Sequence, residues 1–250
     1  MVKLVILGSS SLVATETRRT THLACLGDKH GLLIDCGVSP RGRLEDLGFD
    51  PDRIGDIFIT HFHPDHAAGL PLFLMELCLC GRKSPVRVHA GAETVKLIRQ
   101  LMRMYKWRKL PGLFPVGYQP IKRARRTTVL ENPEFSVMAT PVRHVVPALG
   151  VRVEVRGSGR SFVYSADTEP CARLTELARG TDLLIHEATG RGTGHSSAAQ
   201  AASVAREAGA RRLLLIHTDP YADRGALLAE AGAVFPGETA VASDKTVIDW

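Results

Sequence analysis

The chain has 250 residues, 44% of them hydrophobic and 23% charged, which is the make-up of a globular protein with ample chain for a buried core. Its formal charge of +6 is unevenly placed: the window 94–130 contains no acid and ten bases, so the rest of the chain is net acidic. Five scattered cysteines without paired spacing argue against a disulfide framework and for a reducing cytoplasm, and no run is long and apolar enough to predict a membrane segment or export signal.

In chain order, KLVILG (3–8), THLACLG (21–27) and GLLIDCG (31–37) read as strands bounded by Gly, Asp and Pro. IGDIFIT (54–60) is a fourth and runs straight into HFHPDH (61–66). A helix is expected over Ala67–Leu79, a strand at VRVHA (86–90), and a helix at 92–105 from the spacing of Val95, Ile98, Leu101 and Met102. KLPGLFPVGYQP (109–120) holds too many Pro and Gly to be regular. The second half predicts strands at 134–142, 150–155, 161–167, 182–188 and 212–220, and helices at 169–180, 196–210 and 224–232. Both halves mix strands and helices and share one core, so the chain reads as a single domain over residues 1–250, with two packed sheets and helices outside. Cys78 and Cys80 read as apolar packing.

Chemistry concentrates in HFHPDH. His61 and His63 are two apart, so on an extended segment both side chains point the same way and can grip one ion. Asp65 and His66 follow Pro64 on a turn and can face a second ion. Imidazole and carboxylate without thiolate suit zinc or manganese. His144, Asp167 and His217 each stand at or just past the C-terminal end of a predicted strand, where side chains converge at a sheet edge. The expected division is His61, His63 and His144 on one ion, Asp65, His66 and His217 on the other, and Asp167 shared by both. Asp35, at the end of a strand, is expected to support the loop from behind.

This order of residues resembles the metallo-β-lactamase superfamily. HEAT (186–189), GHSS (194–197), the opening segment GSSSLVATETRRTTHLA, LLIDCG and HVVPALGVRVE are similar to signatures of ribonuclease Z, the enzyme that matures tRNA 3′ ends. The resemblance covers nearly the whole chain. It implies an αββα sandwich of two mixed β-sheets flanked by helices and a hydrolase holding two Zn2+, with Mn2+ as the alternative. It also implies an RNA or nucleotide phosphodiester as substrate and a homodimer as the family's frequent assembly. A water shared by the two ions would become hydroxide near neutral pH and attack phosphorus. Asp65 would orient it, His195 would protonate the leaving alkoxide, and Glu187 would hydrogen-bond His195 and keep it charged. Ser196 or Ser197 would cap the helix that follows.

The chain departs from the family in one place. Ribonuclease Z carries a long flexible tRNA-gripping arm between the segments ending here at His144 and Asp167, whereas only 22 residues separate them, room for a hairpin turning at Gly157–Gly159. Two phosphodiesterase readings therefore stay open, one acting on RNA and one on a small or cyclic phosphate. A thioester or lactam hydrolase and a non-catalytic RNA-binding protein fit less well. The basic segment, Lys96, Arg99, Arg103, Lys106, Arg108, Lys109, Lys122, Arg123, Arg125 and Arg126, is either a solvated surface or a phosphate-binding patch with Tyr105 and Trp107 as stacking faces.

Overall fold

A computed structural model describes residues 1–122 and 124–250. The chain opens with β1 (Lys3–Gly8), β2 (His22–Leu26) and β3 (Gly31–Ile34), then α1 (Arg41–Asp46), β4 (Ile54–Ile59), α2 (Pro64–Ala67) and α3 (Leu70–Leu79). β5 (Val86–Gly91), α4 (Ala92–Met104) and β6 (Val116–Ile121) complete the first half. The second half holds β7 (Thr127–Glu131), β8 (Phe135–Val142), β9 (Ala148–Val155), β10 (Ser161–Tyr164), α5 (Ala172–Leu177), β11 (Leu183–Glu187), α6 (Ala198–Ala208), β12 (Arg212–Ile216), α7 (Arg224–Gly232) and β13 (Glu238–Val241). Finally β14 (Thr246–Asp249) returns to pair antiparallel with β1.

Two seven-stranded mixed sheets result, ordered β14-β1-β2-β3-β4-β5-β6 and β13-β12-β11-β10-β9-β8-β7. The period-2 alternation of strands sorts their side chains into layers. Leu4 and Ile6 of β1 join Phe58, Phe135, Val151, Phe162 and Ile216 in the core between the sheets. Val5 and Leu7 point the other way and pack with Phe73, Leu74 and Ile98 of α3 and α4. The second sheet repeats this, with Val163, Leu184 and Leu213 beneath Ala201, Ala205 and Leu174 of α5 and α6. Both faces of both sheets are thus covered, which is the expected αββα sandwich.

The details depart from expectation in a few places. The helix expected from Ala67 is broken at Ala68–Gly69, where the Gly69 N–H donates to Cys36 O at 2.8 Å, so Asp65 and His66 ride on the one-turn α2. The stretch expected to be irregular contains β6, which tolerates Pro120 because it is an edge strand with no outer neighbour to serve. β7, β13, β14 and α1 have no counterpart among the expected elements; all are short. Trp107 is buried in the core beneath α4 and offers no stacking face, whereas Tyr105 is exposed. Cys78 is buried as expected but Cys80 is exposed. Arg123 lies outside the described residues. No helix among the described residues is long and apolar enough to cross a membrane.

Candidate metal centre

β3, β4 and β5 run parallel, as do β10, β11 and β12, so in each sheet a row of strands ends at one edge. Side chains carried just past such carboxyl ends share a crevice. β4 delivers His61. The chain stays extended through His63, and Pro64 starts α2 at its first position, where its missing N–H is not needed. From the other sheet β8 leads to His144, β10 to Asp167 and β12 to His217. Three non-glycine residues here hold left-handed backbones: Asp35 (φ 63°), Ala166 (φ 55°) and His217 (φ 54°). Each costs on the order of 1–3 kcal/mol, strain of the kind that gathers at functional sites.

The donor atoms fall into two sets. His61 Nε2 is 3.1 Å and His144 Nε2 is 3.3 Å from His63 Nδ1, and His61 Nε2 is 3.8 Å from Asp167 Oδ2. On the other side Asp65 Oδ2 is 3.4 Å from His66 Nε2 and 3.2 Å from His217 Nε2. Asp167 spans the two, its Oδ2 3.5 Å from His66 Nε2 and its Oδ1 3.6 Å from His217 Nε2. Two nitrogens each about 2.0–2.1 Å from a tetrahedral zinc stand about 3.3 Å apart. The observed spacings are therefore those of ligands around an ion. His66 Nε2 and Asp167 Oδ1 are buried here without a hydrogen-bond partner, an expense that a cation would relieve. The residues present fit a pair of divalent ions bound by nitrogen and oxygen.

The far side of nearly every imidazole is pinned. His66 Nδ1–H donates to Asp35 Oδ2 at 2.8 Å. His61 Nδ1 meets Thr60 Oγ1 at 2.9 Å, and that hydroxyl donates to Asp35 Oδ2 at 3.0 Å, so one buried carboxylate orients both rings. His144 Nδ1–H donates to Gly194 O at 2.7 Å. Thr189 Oγ1 lies 2.8 Å from His217 Nδ1 and 2.9 Å from His217 O. The hydroxyl gives its one proton to the carbonyl and so accepts from Nδ1–H. These bonds hold the proton on Nδ1 and turn Nε2 of His61, His66, His144 and His217 inward, the orientation metal ligation needs. Glycine is required at two close approaches. A Cβ on Gly37 would overlap the Asp65 carbonyl, and one on Gly194 (φ 83°) would stand 2.8 Å from His144 Nδ1.

Burial lowers the proton affinity of His61, His63 and His144, keeping them neutral. Despite burial, the neighbouring histidines hold Asp65 and Asp167 below the usual carboxylate range. His66 goes the other way: burial is outweighed by Asp167 and Asp35, so without an ion it keeps its proton to a high pH. Binding a cation would expel that proton.

His195 sits at the rim with its ring centroid 5.1 Å from that of His144, and a donor atom of its ring lies near Asp167 and His217. Its Nδ1–H donates to Glu187 Oε1 at 3.1 Å, and this bond raises its proton affinity against partial burial. Glu187 is fully buried and also receives the N–H groups of Thr168, Thr189 and Ser196. Ser197, not Ser196, caps α6, in a box with Gln200; Ser196 Oγ donates to Thr168 O instead.

The structure thus brings together His61, His63, Asp65, His66, His144, Asp167 and His217, with His195 and Glu187 alongside. Sequence reasoning missed Thr60, Thr189 and the Gly194 carbonyl. Thr60 and Thr189 flank motifs already singled out, but hydroxyl partners carry no spacing signal. The carbonyl belongs to no side chain at all.

Residues 30–218 match the family profile described as the beta-lactamase superfamily domain. Ribonuclease Z of Methanothermobacter thermautotrophicus is 30% identical over 305 residues, covering 100% of this chain and 97% of that protein. The short form of human tRNase Z superposes with a TM-score of 0.80 at 24% identity, covering 99% of this chain and 98% of that one. The metallo-β-lactamase fold protein YhfI of Bacillus subtilis does so with a TM-score of 0.81 at 21% identity, covering 99% and 98%. With its family matched, its fold shared and its histidines and aspartates gathered at one sheet edge, the chain belongs to the metallo-β-lactamase superfamily, in its ribonuclease Z-like branch, and is a metal-dependent hydrolase.

Proposed function

We propose that the chain, acting as one domain over residues 1–250, is a dinuclear zinc phosphodiesterase that cleaves RNA, with 3′-extended precursor tRNA as its substrate and the cytoplasm as its place of work. The observation that carries this reading is the pairing of seven convergent donors, shared through Asp167, with an acid–base couple at the rim. His61, His63 and His144 would hold one ion, Asp65, His66 and His217 the other, and Asp167 both. Bound there, zinc or manganese would supply Lewis-acid polarisation of a phosphoryl oxygen and hydroxide near neutral pH.

The protein's own groups do the rest. Asp65, with Oδ2 turned to His217, orients the attacking oxygen. His195 is proton-bearing because Glu187 accepts from its Nδ1, and its Nε2–H side is free to protonate the leaving alkoxide. Glu187 in turn is fixed by three backbone N–H groups, so it positions His195 without itself reaching the substrate. Such an acid has a task in expelling an alkoxide and little in expelling a thiolate, which sets the phosphodiester reading above the thioester one.

A second reading, a small or cyclic phosphodiester as substrate, is favoured by size. The alignment with ribonuclease Z runs to 305 residues against 250 here, so 55 or more aligned positions have no counterpart in this chain. β9 and β10 are joined by a tight turn through Gly157 and Gly159 and by no arm. Cleavage of a 3′-extended precursor tRNA should be compared with bis-p-nitrophenyl phosphate, a cyclic nucleotide and a thioester, each with added zinc or manganese. Release of the tRNA trailer supports the first reading. Turnover of small diesters alone supports the second, and turnover of the thioester alone sinks both.

A further inference from the structure

We propose that the exposed basic flank of α4, continued by the end of β6, is a docking surface for the phosphate backbone of structured RNA beside the scissile bond. The proposal rests on the RNA reading of the metal centre and gives that reading a second binding site.

The acid-free window folds into one edge of the sandwich. Lys96, Arg99 and Arg103 recur at helical spacing on α4, and Lys106 follows just beyond its end; all four are exposed. They occupy the flank that overhangs β6, where the Arg99 guanidinium stands 5.6 Å from the centre of the Tyr118 ring. Lys122 and Arg126 extend the patch past the end of β6. Among the described residues none of these six is ion-paired, whereas their neighbour Arg125 pairs with Glu176 at 2.7 Å. Some exposed arginines elsewhere, such as Arg87, Arg143 and Arg211, do have carboxylate partners; what sets the six apart is that they cluster in a stretch without acids. Cations left unpaired together gain by displacing counterions from a polyanion.

The patch is connected to the metal centre by register. Gly91 pairs with Ile121, so Lys122 lies beside the start of α4. The Leu149 N–H donates to the carbonyl of Thr60, the residue before His61, and Thr140, on the strand leading to His144, bonds the Arg125 carbonyl. One end of the basic track therefore adjoins the strand ends that carry the ligands. The other end is a helix length away, about 20 Å for 13 residues. A small diester at the ions cannot reach that far; a stem of RNA can. The competing account is that these charges only guard the open edge of β6 against pairing with another chain.

The test uses the zinc-loaded full chain. The variant Lys96→Gln/Arg103→Gln/Lys106→Gln is compared with a charge-matched control on the other sheet, Arg156→Gln/Arg160→Gln/Arg211→Gln. The readout is kcat/KM for precursor tRNA between 50 and 200 mM salt, with bis-p-nitrophenyl phosphate turnover as the check on folding. In the parent, log kcat/KM should fall steeply with log salt. The first triple should flatten that slope by about 2 to 3, at about 0.7–0.9 for each phosphate no longer neutralised, and the control should not. An unchanged slope in the first triple, or equal flattening in both, overturns the docking surface while leaving RNA cleavage standing. A parent that hydrolyses the small diester and leaves RNA intact overturns the RNA reading and this surface together. Should the triple fail to fold, Arg103→Gln alone carries the same test with a slope change of about 1.

Discussion

Replacing Asp35 by asparagine tests the claim that one buried carboxylate sets the tautomers of two ligands. The change is nearly isosteric, and asparagine tolerates the left-handed backbone that Asp35 holds at φ 63°, so it adds little strain. The amide oxygen can still accept from Thr60 N–H, which Asp35 Oδ1 receives at 2.8 Å. Its NH2 group would then face His66 Nδ1 and Thr60 Oγ1, where Oδ2 now accepts at 2.8 and 3.0 Å. Two donors cannot pair, so His66 must move its proton to Nε2, the atom facing Asp65 and Asp167. Loss of such a partner weakens metal affinity about 10- to 100-fold, or about 1.4–2.7 kcal/mol. The ion held through His66 should take the larger share. Zinc titration against a chromophoric chelator measures both sites, and circular dichroism verifies the fold. An Asp35→Asn protein that folds and binds both ions as tightly as the parent would refute the tautomer argument.

Four further outcomes are expected. Thr189→Val removes the acceptor for His217 Nδ1–H and should weaken zinc binding about tenfold, with Thr189→Ser restoring it in the same chelator assay. Glu187→Gln lowers the proton affinity that the carboxylate raises on His195; since the protonated ring is lost as pH rises through its pKa, the basic limb of the kcat profile should move to lower pH. A limb that stays put would leave Glu187 a purely structural role. Glu134 accepts the backbone N–H groups of Asp28, Lys29 and His30 and the His30 ring, so Glu134→Ala should lower Tm by about 4–8 °C, from about 2 kcal/mol. Despite partial burial these donors depress the Glu134 pKa, so the stability is present above the ordinary carboxylate range and the Tm gap should close as pH falls through the folded-state value. Chelation should abolish diester hydrolysis, and added zinc or manganese should restore it, followed by dye release.

Much of the centre was legible because metal ligation restricts residue type. Three histidines and an aspartate within six positions have few other uses, and the remaining ligands each end a run of apolar residues that announces a strand. What stayed hidden depends on partners far along the chain. β6 carries Gly117 and Pro120, and only its place at the edge, against β5 alone, makes that composition acceptable. β14 is four residues long and exists because β1 lies beside it. Trp107 sits among basic neighbours that suggest a nucleic-acid contact, yet the ring turns inward onto Phe114, 6.3 Å between centroids. Composition locates such a residue in a patch; it does not say which way the ring faces.

Four of the convergent donors come from the loop after β4 and three from the opposite sheet. Each of the two proposed ions would draw ligands from both leaves, so slippage of one leaf against the other would strain both sites at once. The centre is therefore a gauge of interleaf alignment: truncating a buried side chain of the core between the sheets, such as Phe162, should loosen the grip on zinc.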